Sequence, residues 1–393
     1  MESASEEVKV AGWNTLPQGW LEAESPFHWF KENREVSPVM FDEQRNTWDI
    51  FRYEDIKNSL MNYKAFSSEL LSLSIIGMDP PKHKLYRSIV SKAFTPKIVE
   101  EMAPMIEQVT NELLDSVLEE KKMDFIQDFA YPLPVIIISE MMGIPKEDRD
   151  QFKYWSDELI RGIDIEHGEK PEDYKQMKAK ISQEMSKYFI NVIEVKRIHP
   201  GNDLVSALLA AKIDEHSLDF SEILQFCLLL LVAGNETTTN LLGNTMKCLL
   251  DIPGLQQQLH SEPALIPSTL EEVLRFRSPI QSLTRICKED TVLSGQTIKA
   301  GDHLVLWLGS ANRDEEQFEQ PETFIPSRKP NQHMAFGMGP HFCLGAPLSR
   351  LEAKIAFEII FKRIPVITPA DHSTAQFIKD PLVHGFKSIP IQY

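Results

Sequence analysis

Ten consecutive residues, Phe336-Gly337-Met338-Gly339-Pro340-His341-Phe342-Cys343-Leu344-Gly345, constrain this chain more than any other stretch. They place one cysteine in a glycine-punctuated loop, and Ala346-Pro347-Leu348-Ser349-Arg350 then reads as the start of a helix. A proline in a first helical turn is pre-set in φ, and its missing N–H would be an orphan there anyway. Cys343 therefore stands just ahead of a helix N-terminus, where the dipole and free N–H groups favour an anion. The sulfur is expected to be poised as a thiolate. Glycines on both sides let the backbone turn sharply and approach a planar partner closely.

The run resembles the cysteine loop of the cytochrome P450 family, Phe-x-x-Gly-x-x-x-Cys-x-Gly, with Phe336, Gly339, Cys343 and Gly345 filling every fixed position. The resemblance implies a haem b cofactor with Cys343 as axial thiolate, a ligand that pushes electron density onto the iron and favours O–O cleavage. It also implies a fold that is mainly α with small β-sheets, the triangular haem-thiolate prism. That prism is expected as one domain over residues 1–393, with a β-rich N-terminal part, a helical body and the haem-binding loop 336–345. The small sheets are expected near the N-terminus and after Arg275.

Other motifs follow in the family's order. Asp79-Pro80-Pro81 leads into a helix on which His83 and Arg87, four apart, share a face. Alone they read as a solvated surface pair. The resemblance implies that both grip a haem propionate, as an Arg fork suits a carboxylate. A long helix is expected from near Asp219 to Asp251, interrupted in character by Ala233-Gly234-Asn235-Glu236-Thr237-Thr238-Thr239. Glycine costs about 1 kcal/mol mid-helix relative to alanine, and threonine hydroxyls compete with the backbone. A polar, weakened turn between apolar flanks marks a functional site. It is similar to the family's oxygen-binding motif, with Ala233 beside the haem and Glu236 and Thr237 implied as the catalytic proton-delivery pair.

Ser268-Thr269-Leu270-Glu271 reads as a capping box opening a helix that carries Glu272 and Arg275. An i,i+3 Glu/Arg pair is ordinarily a weak surface bridge. The resemblance implies a buried structural network of Glu272, Arg275 and Arg328. Arg285 and His341 match further propionate contacts, each equally readable as a surface base. The implied substrate pocket is lined by Leu71, Leu73, Ile75, Ile76, Leu229, Ala233, Ile280, Leu283, Leu382 and Val383. All are apolar, which suits a steroid, terpenoid or fatty acid.

Composition limits the partners. Net charge is −17, which argues against nucleic acid or an anionic membrane surface. Met1 to Gly12 holds three glutamates and no apolar run, and the longest apolar run, Phe226 to Ala233, is far short of a span. The four cysteines show no paired spacing. A monomer in the cytoplasm without membrane anchor is expected. The implied activity is monooxygenation: O2 and two electrons, hydroxylating the apolar substrate. No flavin or nicotinamide fingerprint is present, so a ferredoxin or flavodoxin with its reductase must supply the electrons. It would dock on basic residues near the cysteine, with Lys82, Lys84, Lys92, Arg328, Lys329, Arg350 and Lys354 as candidates. Peroxide-driven oxygenation on the same fold, a haem sensor or carrier, and a cysteine hydrolase using Cys343 and His341 remain as alternatives. Glu236-Thr237 counts against the first two, and no third orienting group supports the last.

Overall fold

The structure is a computed structural model that describes residues 15–22, 26–69, 74–160, 170–213, 215–370, 373–378 and 380–393. Its central helix is Phe220–Asp251, 32 residues long and so about 48 Å end to end. A reciprocal capping box starts it: Glu222 N–H donates to the Asp219 carboxylate and Asp219 N–H to the Glu222 carboxylate, both at 2.8 Å. By length and composition this helix could cross a membrane. Here it packs against the helices Pro132–Met141, Pro171–Ile198, Ile266–Phe276 and Ala346–Arg363.

The turn expected to weaken this helix leaves it unbroken. Its threonine hydroxyls are all engaged. Thr237 donates back to Ala233 O at 3.0 Å, Thr238 to Ser349 Oγ at 3.2 Å, and Thr239 to Ala130 O at 3.2 Å. Two of the three thus bond to neighbouring elements and tie the helix into the core. Gly234 lets Ile138 pack against the helix; a Cβ there would stand 2.7 Å from Ile138 Cδ1.

Strands near the N-terminus and two of those after Arg275 join in one five-stranded sheet, while the remaining strands form separate sheets of two or three. Strands run in the order Val39–Asp42, Thr47–Ile50, His303–Trp307, Ser282–Cys287, Phe66–Ser67. Every pairing is antiparallel except Thr47–Ile50 with His303–Trp307, where Leu304 faces Trp48 and Leu306 faces Ile50. The N-terminal hairpin has a free edge that the late strand satisfies. Trp307 Nε1 donates to the buried Asp49 carboxylate at 2.8 Å across that junction.

The strand Thr47–Ile50 ends just ahead of the helix Tyr53–Met61. One local expectation needs correction. The Ser268–Glu271 capping box does not form. A 3-10 turn, Pro263–Leu265, runs straight into the helix Ile266–Phe276 with Pro267 in its first turn, so Ser268 lies inside and donates to Leu265 O at 3.0 Å. Proline at that place fixes the start instead.

Candidate active site

The cysteine loop is held by its own backbone. Cys343 N–H donates to Phe336 O at 2.9 Å, Gly337 N–H to Met334 O at 2.8 Å, and Phe342 N–H to Gly339 O at 3.1 Å. Gly337 and Gly339 both sit at φ +69°, a conformation side chains rarely adopt. At Gly339 a Cβ would also lie 2.9 Å from Leu60 O. The N–H groups of Gly345 and Ala346, opening the helix Ala346–Arg363, approach the sulfur. Burial nevertheless pushes the Cys343 thiol up, outweighing those N–H groups and the charges of Arg87 and Arg350. The environment favours the anion locally, yet desolvation is the larger effect.

Two histidines and two arginines gather beside the loop. His83 and Arg87 project from the helix Lys82–Ala93, His83 buried and Arg87 half-buried. Arg87 Nη2 donates to Phe342 O at 2.7 Å. The His83 and His341 rings stand 4.1 Å apart. Burial, with His83 and Arg285 nearby, depresses His341 to about 4. Its Nε2 is buried without a hydrogen-bond partner. Arg285, buried on the strand Ser282–Cys287, is lowered to about 10 by burial, and its Nη1 donates to Thr284 O at 2.7 Å. Asp79 acts on it only at a distance, because that carboxylate is taken by Ser67 Oγ at 2.6 Å, Ser68 N–H at 3.0 Å and Lys288 Nζ at 3.1 Å.

The central helix contributes a second wall. Leu229, Ala233, Glu236 and Thr237 fall at i, i+4, i+7 and i+8, one helix face. Ala233 is exposed in mid-helix, while Asn235, Thr238 and Thr239 on the other side are buried. Burial, then the charge of Asp380, pushes Glu236 up to about 7, with Lys178 opposing. Asp380 also accepts from Leu382 N–H at 2.7 Å and so orders the turn that follows. That turn meets Ile280: Val383 bridges it, and Gln281 N–H donates to Leu382 O at 2.7 Å. Leu283 lies beside Gly337.

Not every expected residue lands in this group. Leu71 and Leu73 lie outside the described residues. Ile75 packs in a crevice with Tyr86, Leu218 and Phe226 near the start of the central helix, and Ile76 is exposed. Val383 is buried rather than open to a cavity, whereas Leu382 is exposed. Glu272, Arg275 and Arg328 do form a buried cluster. The Glu272 carboxylate takes Arg275 Nη2 at 2.8 Å and Arg328 Nε at 3.0 Å. Arg328 is therefore no docking charge, and Arg350 is likewise already paired with Glu271. Lys82, Lys84, Lys92 and Lys329 are exposed; Lys354 is half-buried near Glu358. Sequence reasoning missed Asp380 and Glu271, whose partners are remote in the chain.

Residues 50–391 match the family model for cytochrome P450. The chain belongs to the cytochrome P450 family. Cytochrome P450 109 of Bacillus spizizenii is 41% identical over 386 residues, covering 96% of this chain and 95% of that one. Cytochrome P450(MEG) of Priestia megaterium is 38% identical, with 86% and 87% covered. Among solved structures, CYP109E1 from Bacillus megaterium in complex with corticosterone shares 46% identity, a TM-score of 0.90, and coverage of 93% of this chain and 98% of that one. The testosterone complex of the same protein gives 45% and 0.89, with 94% and 99% covered. The mainly helical fold with small sheets is the P450 fold, and the chain is a P450 oxidoreductase.

A P450 works with haem held by a cysteine thiolate, and the residues present fit that group. The buried, unpartnered Nε2 of His341 and the buried guanidinium of Arg285 near that ring are polar groups that haem carboxylates would engage. The sulfur of Cys343 faces two N–H groups, and the φ of Gly337 and Gly339 keeps side chains off the loop's surface.

Proposed function

We propose that this P450 is a monooxygenase that hydroxylates an apolar small molecule of steroid size and shape, drawing two electrons from an external ferredoxin or flavodoxin. The observation that carries the site assignment is Cys343 in its glycine turn together with the buried, unpartnered Nε2 of His341 two residues away and the buried Arg285 near that ring. Cys343 would bind the iron. His83, Arg87, Arg285 and His341 would hold the propionates, and Phe336, Gly345 and Ala233 would bound the two faces. The bound haem supplies O2 activation; the protein supplies orientation and protons.

Glu236 is suited to holding a proton near neutrality, since burial and Asp380 place its carboxyl at about 7. Thr237 spends its hydroxyl proton on Ala233 O, so its lone pairs are left to accept a proton donor from the cavity side. Together they form a relay in which the acid gives and the alcohol orients. Apolar Leu229, Ile280, Leu283 and Leu382 would exclude water around the substrate. Steroid binding by a relative of 46% identity supports that ligand class. The exposed Lys82, Lys84, Lys92 and Lys329 are the remaining docking charges for an acidic carrier.

The test is optical. Purified holoprotein is titrated with testosterone, corticosterone, a terpenoid and a fatty acid, and the ferric spin state is followed. A saturable low- to high-spin shift with the steroids is expected, as is loss of the thiolate-type ferrous–CO spectrum in Cys343→Ser. A shift only with the fatty acid would overturn the substrate class. A Cys343→Ser protein with an unchanged spectrum would overturn the ligand.

A further inference from the structure

Two adjacent carboxylates leave the helix Ile266–Phe276 in different directions. Glu272 goes to Arg275 and Arg328, as described. Glu271 goes to the cysteine loop. Its Oε1 accepts from Arg350 Nε at 2.7 Å and its Oε2 from Arg350 Nη2 at 2.8 Å, a bidentate fork. Its Oε2 also lies 3.0 Å from His333 Nε2. His333 Nδ1 accepts from Ala335 N–H at 3.3 Å, so Nε2 carries the proton and donates to Glu271.

His333 is on the chain entering the loop, and Arg350 is on the helix leaving it. One carboxylate therefore joins the two feet of the loop. The Arg350 guanidinium held by that fork lies 4.4 Å from the centre of the Phe336 ring, a cation–π contact. Phe336 O in turn accepts from Cys343 N–H at 2.9 Å. The sequence of contacts runs from Glu271 through Arg350 and Phe336 to the backbone of Cys343 without a gap.

We propose that Glu271 is a positioning residue for the Cys343 loop, clipping its two feet together through His333 and Arg350 and thereby fixing how the sulfur is presented to the haem iron. This rests on Cys343 being the ligand. Burial raises the Glu271 carboxyl, but Arg350 and His333 pull it further down, to about 2, so the clip stays charged throughout neutral pH. Glu271→Gln keeps the shape but turns an NH2 group toward either Arg350 or His333, setting donor against donor. Arg350→Lys keeps the charge but loses both the fork and the flat stack on Phe336.

The experiment uses holoprotein and follows the rate at which the ferrous–CO complex loses its thiolate-type absorption in urea below the unfolding midpoint, with far-UV melting measured in parallel. Glu271→Gln and Arg350→Lys are each expected to lose it about tenfold faster than wild type, with far smaller proportional effects on melting. Glu262→Gln, an exposed carboxylate change, is expected to match wild type. Rates within about twofold of wild type for both variants overturn the proposal. So does a rate increase that merely tracks a lowered melting temperature. Should Glu271→Gln fail to fold, Arg350→Lys decides alone. A wild-type protein without thiolate-type absorption overturns the Cys343 assignment itself, an outcome distinct from the others.

Discussion

Glu272→Gln preserves volume at a fully buried position and removes one charge from a cluster of three. The carboxylate accepts from Arg275 Nε and Nη2 at 2.9 and 2.8 Å, from Arg328 Nε at 3.0 Å, from Ile325 N–H at 2.9 Å and from Asn331 Nδ2 at 3.2 Å. Glutamine supplies one acceptor oxygen and turns its NH2 toward a guanidinium. Two buried positive charges then share no counter-charge. Breaking a buried pair in this way costs about 3–5 kcal/mol. An unfolding entropy of about 2.1 cal/mol/K per residue gives roughly 0.8 kcal/mol/K for 393 residues. The melting temperature should therefore fall by about 4–6 °C. The assay is thermal unfolding of wild type, Glu272→Gln and Lys57→Gln, the last removing the exposed Glu54–Lys57 pair. That control should move the melt by less than about 1 °C. If Glu272→Gln shifts no further than Lys57→Gln, the buried network is not what holds these segments together.

The same structure fixes the outcomes of two other substitutions. The folded Glu236 carboxyl titrates at about 7 against an ordinary 4.5, so it keeps its proton where the unfolded chain loses it, and its ionisation costs stability as pH rises between those values. Denaturant melts should show Glu236→Gln gaining on wild type between about pH 5 and pH 8. Product formed per O2 consumed should drop in the same variant, with turnover falling by about 100-fold if it is the proton donor. Gly385→Ala would put a Cβ 1.9 Å from Asn240 Oδ1 and 2.5 Å from its Cγ. A loss of about 1–3 kcal/mol in chemical denaturation is expected, because Asn240 is buried and cannot retreat to solvent.

What could be read in the sequence was what depends on near neighbours. The central helix shows its apolar flanks and its acidic start directly, and the glycine turn around Cys343 is a local conformational demand. The pairing of Thr47–Ile50 with His303–Trp307 had no such signal, since two short apolar strands more than two hundred positions apart look alike whichever sheet they join. The capping-box pattern at Ser268 misled because Pro263 and Pro267 had already set the helix start. Adjacent Glu271 and Glu272 look equivalent in one dimension. Only the rotation of about 100° between successive helix positions sends one to Arg328 and the other to Arg350. Arg350 counted as a free charge for the same reason: the carboxylate that neutralises it lies on another helix.

The mixed sheet also dictates an order of events during synthesis. Its first three strands have emerged by Ser67, but the strands that join them are Ser282–Cys287 and His303–Trp307. At about 5–20 residues per second, the hairpin Val39–Ile50 waits roughly 10–50 s for its partner. Until then the Thr47–Ile50 edge offers unpaired backbone groups to any extended chain nearby. Pairings this distant in sequence also form slowly once available, as loop closure must precede their reward. Polypeptides truncated inside that interval are thus expected to aggregate through this edge, and chaperone occupancy should peak before residue 303 leaves the ribosome.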